Sequence, residues 1–104
     1  MIAPTIGRRL WYYPSPYDFN EANSDRFTGL GDQPCDAGIC YVWTDRMVNV
    51  TVADSNGFMH RRASVRLLQD GEQPYPGEAH LRWMPYQVGQ AKPAPEPIKA
   101  DCTD

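Results

Sequence analysis

The sequence is short of cysteine and of long apolar runs, and each shortage excludes a class of protein. Its three cysteines are an odd number, which fits reduced thiols better than a disulfide framework. No apolar run approaches the roughly 18 residues that a membrane-spanning helix needs, and the N-terminal residues lack the apolar core of a secretory signal. We therefore expect a cytosolic protein that does not contact a membrane.

The short motifs that mark catalytic and cofactor sites are also missing. The sequence contains no nucleophile elbow, P-loop, zinc-protease motif or dinucleotide-binding glycine motif. Cys35 and Cys40 have a spacing found in some metal proteins, but no second Cys or His pair follows to complete four ligands. His60 and His80 are isolated histidines on different predicted strands, so they do not form a metal-binding pair. We expect no enzyme activity, no metal and no cofactor, with Cys40 packed in the core and Cys35 in a loop.

Lysine is almost absent, and the charge has no concentrated sign. The two lysines, Lys92 and Lys99, lie near the C-terminus, whereas the arginines precede residue 83 and are interspersed with acidic residues. The net charge is −3. Because nucleic-acid-binding domains usually carry a concentrated positive field, this pattern gives little support to DNA binding.

Proline and glycine are plentiful, and they favour short strands over long helices. Ten prolines and eight glycines interrupt a chain of 104 residues, a length that suits one domain with a single core. Alternating or β-rich segments predict five strands, over residues 5–13, 36–43, 47–53, 58–69 and 78–84. The predicted class is all-β.

The clearest local prediction is a hairpin after residues 47–53, in which three valines alternate with other side chains. Asn56-Gly57 follows, and this pair favours a two-residue type I′ turn. Such a turn sets Val52 opposite Arg61, Val50 opposite Ala63 and Val48 opposite Val65. A slip by one residue would place three polar side chains without evident partners against the valines, namely His60, Arg62 and Ser64. We therefore predict the two-residue turn.

The connection that precedes this central strand allows two registers. A three-residue loop pairs Val42 with Val48 and leaves Tyr41 and Trp43 on the outer face. A four-residue loop buries these two aromatic side chains instead. Both arrangements are physically reasonable, so the sequence leaves open whether Tyr41 and Trp43 are buried.

Residues 14–34 form an irregular connection, longer than the limit of about 12 to 15 residues that most loops respect. Five short strands with a long first connection and a tight third one predict a small five-stranded SH3-like barrel with a long first loop. An OB-like barrel and an open antiparallel meander are the alternatives. We expect the barrel domain to span residues 1–90 and the proline-rich residues 91–104 to form an extended or disordered tail.

Aromatic residues are the most informative excess, with three tryptophans, six tyrosines and three phenylalanines. One small core usually holds fewer, and tyrosine and tryptophan carry much of the binding energy of protein interfaces. The predicted partner-binding residues are Trp11, Tyr13, Tyr17, Trp43 and Tyr86.

A basic stripe lies on the fourth predicted strand and consists of Arg61, Arg62 and Arg66. It is most simply the solvated face of that strand. Next to aromatic side chains, it is alternatively a contact surface for single-stranded nucleic acid, which binds by stacking and by phosphate contacts.

Three segments of the sequence resemble a family of short, uncharacterised proteins encoded by tailed bacteriophages and prophages. They are TIGRRLWYYP at residues 5–14, DAGICYVWTDRMVNV at residues 36–50 and WMPYQVGQAK at residues 83–92. The likeness covers most of residues 4–92, with the long loop outside it. It implies a phage origin and the cytoplasm of a bacterial host, and it supplies no catalytic residues.

These observations together predict a small phage-encoded binding protein without catalytic activity. We expect a monomer that contacts a host or phage protein through its aromatic surface. The first alternative is a small barrel that binds single-stranded nucleic acid. The second alternative is a component of the virion or of its assembly.

Overall fold

The computed structural model describes residues 1–91, which contain five strands, one 3-10 turn and one short helix. The strands are β1 (Arg9–Tyr13), β2 (Cys35–Thr44), β3 (Met47–Ala53), β4 (Met59–Leu68) and β5 (His80–Arg82). The 3-10 turn spans Pro16–Phe19, and helix α1 spans Pro85–Ala91.

The five strands close into a barrel in the order β1-β2-β3-β4-β5. Neighbouring strands are antiparallel except β4 and β5, which are parallel, and β5 closes the barrel by pairing with β1. The predicted all-β class and five-stranded barrel are confirmed, and the open meander is excluded because the sheet has no free first and last strand. The likeness to SH3 domains in particular stays a prediction.

The barrel core follows from the alternation along β3. Val48, Val50 and Val52 point inward and are almost completely buried. The same core contains large side chains from three further strands, namely Leu10, Tyr12, Leu67 and Leu81. Burial of a side chain of this size stabilises the fold by about 1.5 to 3 kcal/mol, so these positions carry much of the stability of the barrel.

The hairpin between β3 and β4 differs from the predicted register. Val52 lies opposite His60 and Val50 opposite Arg62, so the predicted pairs of Val52 with Arg61 and of Val50 with Ala63 are wrong. The predicted pairing of Val48 with Val65 is confirmed. Near the turn the hairpin therefore has the register that places His60 and Arg62 opposite the valines, and further from the turn it has the predicted register.

The turn itself explains the first part of this register. Asp54 Oδ1 accepts hydrogen bonds from the backbone N–H groups of Asn56 and Phe58, at 3.0 Å each, and Asp54 N–H donates to the carbonyl oxygen of Phe58. Asp54 thus organises a connection of five residues, 54–58, between the paired residues Ala53 and Met59, and the predicted two-residue turn at Asn56-Gly57 is wrong. Gly57 adopts the positive φ of +86° within this turn.

A β-bulge restores the register further along the hairpin. Between the pairs Val50–Arg62 and Val48–Val65, the single residue Asn49 lies opposite two residues of β4. One of these, Ser64, has a positive φ of 54°, and its N–H donates to Asn49 Oδ1 at 2.7 Å. The extra residue is thus accommodated by a left-handed backbone conformation that a side-chain amide stabilises.

Between β2 and β3, the structure selects the outward arrangement of the aromatic side chains. Val42 pairs with Val48, and Tyr41 and Trp43 are exposed. A register shift at Cys40 leaves that thiol exposed, whereas Cys35 is buried. The expectation of a buried Cys40 and a loop Cys35 is therefore wrong, because the irregularity in β2 exchanges the two environments.

The ends of the domain are partly outside what the structure describes. Strand β1 begins at Arg9, later than predicted, and β5 has only the three residues His80–Arg82. Helix α1 was not predicted, and it includes Ala91, the first residue of the predicted tail. Residues 92–104 of that tail lie outside the described residues.

Candidate functional site

The long loop of residues 14–34 covers a gap that the short β5 leaves beside β4. β5 pairs only with residues 66–68 of β4, so the first half of β4 has no strand neighbour on that side. The loop takes this position, where the N–H of Arg61 donates to Asp25 Oδ2 at 3.0 Å. Phe27 of the loop is buried in the core. The Asp25 carboxylate therefore accepts a backbone hydrogen bond that a neighbouring strand would otherwise accept.

His60 joins this loop to the barrel through both of its ring nitrogens. Nδ1 lies 2.7 Å from Asp25 Oδ1, and Nε2 lies 2.7 Å from Asp54 Oδ2. The side chain is only 7% exposed. Because an ionised carboxylate only accepts hydrogen bonds, both nitrogens must donate, and His60 is an imidazolium ion in this arrangement.

The pKa values around His60 move in the directions that favour this ion pairing. Burial opposes the charging of His60, but hydrogen bonds and charge from Asp54 and Asp25 outweigh it and raise the His60 pKa. Burial likewise opposes the ionisation of Asp54, yet the N–H groups of Thr28 and Phe58, with His60, hold the Asp54 pKa well below its usual value. The Arg61 N–H and His60 lower the pKa of Asp25.

Arg62 makes a second set of ionic contacts with the same loop. Its Nε donates to Asp18 Oδ1 at 2.7 Å, its Nη1 to Asp25 Oδ2 at 3.3 Å and its Nη2 to the Asp25 carbonyl oxygen at 2.7 Å. Asp18 also accepts a 2.8 Å hydrogen bond from the Tyr12 hydroxyl. Burial, followed by the charge of Asp18, raises the pKa of Tyr12, which therefore stays protonated and donates.

Phe27 lies against both cations. The centroid of its ring is 4.5 Å from the guanidinium carbon of Arg62 and 4.6 Å from the centroid of the His60 ring. The face of an aromatic ring attracts cations, so Phe27 stabilises the charges while it fills the core. We call the five ionic residues the ion cluster; they are Asp18, Asp25, Asp54, His60 and Arg62.

The ion cluster explains why the register that turns His60 and Arg62 inward is stable. Inward-facing His60 and Arg62 are the residues that would lack partners in an isolated hairpin. In the folded chain, Asp18 and Asp25 from the long loop and Asp54 from the turn supply those partners. Sequence reasoning missed these three aspartates, and the available signal was the occurrence of two of them in a loop of unusual length.

An open cleft of about 790 Å³ lies between the long loop and the β-bulge. Asp18, Asp25 and Arg62 of the ion cluster form part of its lining. Further residues around the cleft are Tyr17, Asn23, Cys40, Asn49, Ser64 and Glu78. Tyr12 and several small apolar residues complete the lining, so polar, apolar and aromatic side chains surround a depression of the size that protein ligand sites usually have.

One of the predicted partner-binding residues lines this cleft, and a second is hydrogen-bonded to a residue of the lining. Tyr17 lines it and is 59% exposed. Trp43 is 56% exposed, and its Nε1 donates at 2.9 Å to Oδ1 of Asn49, which also lines the cleft. The ring of Tyr41 packs edge-on against Trp43, with centroids 4.7 Å apart. Asn49 thus fixes both the bulge and the position of this aromatic pair.

The other three predicted aromatic residues lie elsewhere on the barrel. Trp11 and Tyr13 are half-buried on β1, and the Tyr13 ring stacks on His80 of β5 with centroids 4.9 Å apart. Tyr86 is exposed on α1. None of the three lines the cleft, so the predicted aromatic residues divide between different surfaces.

The three arginines of the predicted basic stripe have different environments, although all line the cleft. Arg61 is exposed, Arg62 belongs to the ion cluster, and the Nε of Arg66 donates to Glu78 at 3.2 Å. The guanidinium carbon of Arg66 also lies 4.3 Å from the centroid of the Tyr75 ring. Carboxylates therefore compensate two of the three positive charges.

Two kinds of feature are absent from residues 1–91, a metal-binding cluster and a membrane-spanning helix. Within this range, no group of three or more histidine, cysteine or acidic residues is arranged to hold a metal ion. Among the described helices, none is long and apolar enough to cross a membrane.

Comparison with known proteins gives no family for this chain. No protein-family model, no curated protein and no solved structure matches the sequence or the fold.

Proposed function

We propose that this protein binds a protein partner without catalysing a reaction, and that the cleft beside the long loop is the binding site. The observation that carries the proposal is the exposure of Tyr17 in the lining of the cleft and of Trp43 next to it, hydrogen-bonded to the lining residue Asn49. Tyrosine and tryptophan are enriched among the residues that dominate protein-binding energy. Exposed aromatic side chains that are held in place lose little conformational entropy on binding.

The charges around the cleft favour a protein over a nucleic acid. Arg62 and Arg66 are paired with carboxylates, and the whole chain has a net charge of −3. A nucleic-acid site needs a groove with a clear positive excess to hold phosphates. Exposed Arg61 alone supplies little of that excess, so binding of single-stranded nucleic acid is the alternative against which the proposal is tested.

The buried ionisable groups fit a structural role better than a catalytic one. His60 donates from both nitrogens to carboxylates, and its side chain is only 7% exposed. A general base needs a free lone pair within reach of its substrate. In this arrangement His60 has none, and its partners Asp25 and Asp54 are occupied by the same contacts.

The resemblance to phage and prophage proteins suggests where the partner is found. We propose a monomeric protein of the host bacterial cytoplasm that contacts a host or phage protein. A component of the virion or of its assembly remains the second alternative, and it predicts a fixed stoichiometry in purified particles.

The test is an affinity purification of the tagged protein from phage-infected cells, followed by binding measurements with the purified captured protein. Recovery is compared with and without nuclease, and at low and high salt. Tyr17→Ala and Trp43→Ala are each expected to weaken binding at least about tenfold, as interface hot spots do. Phe58→Ala is the matched control, because Phe58 is 62% exposed, does not line the cleft and, unlike Trp43, is not hydrogen-bonded through its side chain to a residue that does.

The outcomes separate the three functions. A discrete protein whose affinity falls in Tyr17→Ala and in Trp43→Ala, and not in Phe58→Ala, supports the proposal. Material that disappears with nuclease and high salt overturns it in favour of nucleic-acid binding. Equal affinities of all three variants exclude the cleft as the site, and recovery confined to purified particles favours the virion component.

A further inference from the structure

We propose that the ion cluster is a protonation-dependent latch, which holds the long loop against β4 while His60 carries both ring protons and loosens it when one is lost. The latch itself follows from the described contacts alone. Its consequence, that access to the cleft depends on pH, rests on the proposed function, because Tyr17 and Asn23 of the loop form one side of the cleft.

The loop is fastened to the barrel mainly through acidic side chains. Asp25 receives hydrogen bonds from His60, from the Arg61 N–H and from Arg62, and Asp18 receives one from Arg62. Near its other end, the N–H and hydroxyl of Thr28 donate to Asp54 Oδ2 at 2.9 Å each. The attachment of the loop to the barrel therefore depends on the charge state of a few residues as well as on the burial of Phe27.

The two carboxylates that face His60 differ in how firmly they are held. The side chain of Asp54 is 1% exposed and accepts bonds from the turn, from Thr28 and from His60. The side chain of Asp25 is 40% exposed and belongs to the loop. A neutral imidazole keeps one N–H, so loss of a proton leaves a nitrogen lone pair facing a carboxylate. Asp25 is the partner that can move away.

The surrounding charges determine the direction of the effect. The titratable or charged groups in and around the ion cluster come from β1, the loop, β2, the turn and β4, and they are Tyr12, Asp18, Asp25, Cys35, Asp54, His60 and Arg62. Two cations face three carboxylates while His60 is charged, and only Arg62 remains when it is neutral. Loss of the His60 proton therefore weakens the attachment of the loop.

The pH range follows from linkage between protonation and loop closure. Closure adds Asp25 to the carboxylate that Asp54 already supplies, and it thereby raises the pKa of His60 above its value in the open loop. Because Asp54 still faces His60 when the loop is open, that value lies no lower than the value of about 6.5 for an unperturbed histidine. The latch is thus complete below about pH 6.5 and is lost as the pH rises through the raised pKa. The lowered pKa of Asp25 keeps that carboxylate ionised at this end of the range.

The test is amide hydrogen exchange followed by NMR between pH 5.5 and 9, with His60 titrated in the same samples through its ring signals. The reporters are three N–H groups. Those of Thr28 and Arg61 join the loop to the barrel through Asp54 and Asp25, and that of Phe27 donates within the loop to the Asp18 carbonyl oxygen. Their protection factors, corrected for base-catalysed exchange, are expected to be constant below about pH 6.5. Above it they fall by up to tenfold per pH unit until His60 is neutral. Amides of β2 and β3 keep their protection.

Two variants sharpen the experiment. In His60→Gln the loop amides should lose protection at low pH and become insensitive to pH, because glutamine does not titrate in this range. His80→Gln is the matched control, since His80 stacks on Tyr13 and makes no contact with the ion cluster. It should leave the pH profile of the loop unchanged.

The result that overturns the latch is a loop protection that stays flat while His60 titrates, or that falls together with the protection of β2 and β3. The wild-type titration decides this even where His60→Gln fails to fold. No partner is needed, so failure of the latch and failure of the proposed function are distinguishable. With a partner in hand, its affinity should fall over the pH range in which the loop opens.

Discussion

Replacing Asp54 by asparagine is expected to lower the free energy of unfolding by about 3 to 5 kcal/mol, the usual effect of removing one partner from a buried ion pair. An asparagine has nearly the same shape, and its oxygen can still accept from the N–H groups of Asn56 and Phe58. Its NH₂ group, however, meets the donors of Thr28 and His60, where Asp54 Oδ2 now accepts. The substitution therefore leaves a buried imidazolium facing a donor.

The assay is urea unfolding at pH 6, followed by circular dichroism. For a domain of this size, a loss of 3 kcal/mol also lowers the melting temperature by at least about 12 °C. Asp45→Asn is the matched control, because Asp45 is exposed in the β2–β3 connection and should change the stability by less than about 0.5 kcal/mol. A loss below about 1 kcal/mol for Asp54→Asn would refute the reasoning, since it would mean that Asp54 and His60 are not paired in solution.

Three further predictions concern the thiols, the bulge and the pH dependence of stability. Cys40 should react with iodoacetamide far faster than Cys35 in the folded protein, since Cys40 is exposed and burial raises the pKa of the Cys35 thiol; equal rates by mass spectrometry would contradict this. Asn49→Ala should cost about 1 to 3 kcal/mol and change the fluorescence of Trp43, because it removes the acceptor of the indole N–H and of the bulge; unchanged emission and stability would show that Asn49 holds neither. Stability should be greatest between about pH 4 and 6.5 and should fall above this range as the raised pKa of His60 is passed; a stability that keeps rising to pH 9 would be inconsistent with a charged His60.

Local patterns predicted the parts of the fold that depend on local physics. The alternation of Val48, Val50 and Val52 correctly predicts a strand with one buried face, because side chains alternate along any strand. The spacing of strands and turns correctly predicts a closed barrel of five strands. Both inferences need only neighbours in the sequence, and both are confirmed.

The register could not be predicted in this way, because its determinants are remote. The partner of His60 in the long loop, Asp25, is 35 residues away, and the Asp18 partner of Arg62 is 44 residues away. The rule that polar groups are not buried without partners is sound. Its application to an isolated hairpin was wrong, since the partners lie on a loop whose path no local pattern specifies.

The same remoteness limits what the sequence could say about the site. Tyr17, which the sequence predicts as a partner-binding residue, is exposed, and so is Trp43, whose burial the sequence leaves open. The sequence does not indicate that Tyr17 and Asn49 share a cleft while Trp11 and Tyr86 lie elsewhere. Which residues of different strands lie together depends on the curvature and closure of the barrel. Composition and spacing do not specify that geometry.

The ion cluster, the bulge and the cleft are consequences of one packing choice. Turning His60 and Arg62 inward satisfies the loop carboxylates, but this register, continued along β4, would turn Val65 and Leu67 away from the core. One extra residue must therefore be inserted before Val65, and Ser64 takes the positive φ that this requires. The N–H of Ser64 then binds Asn49, whose oxygen also holds Trp43. Burial of two cations in the barrel thus leads, through the register of one hairpin, to the position of an aromatic side chain on its surface.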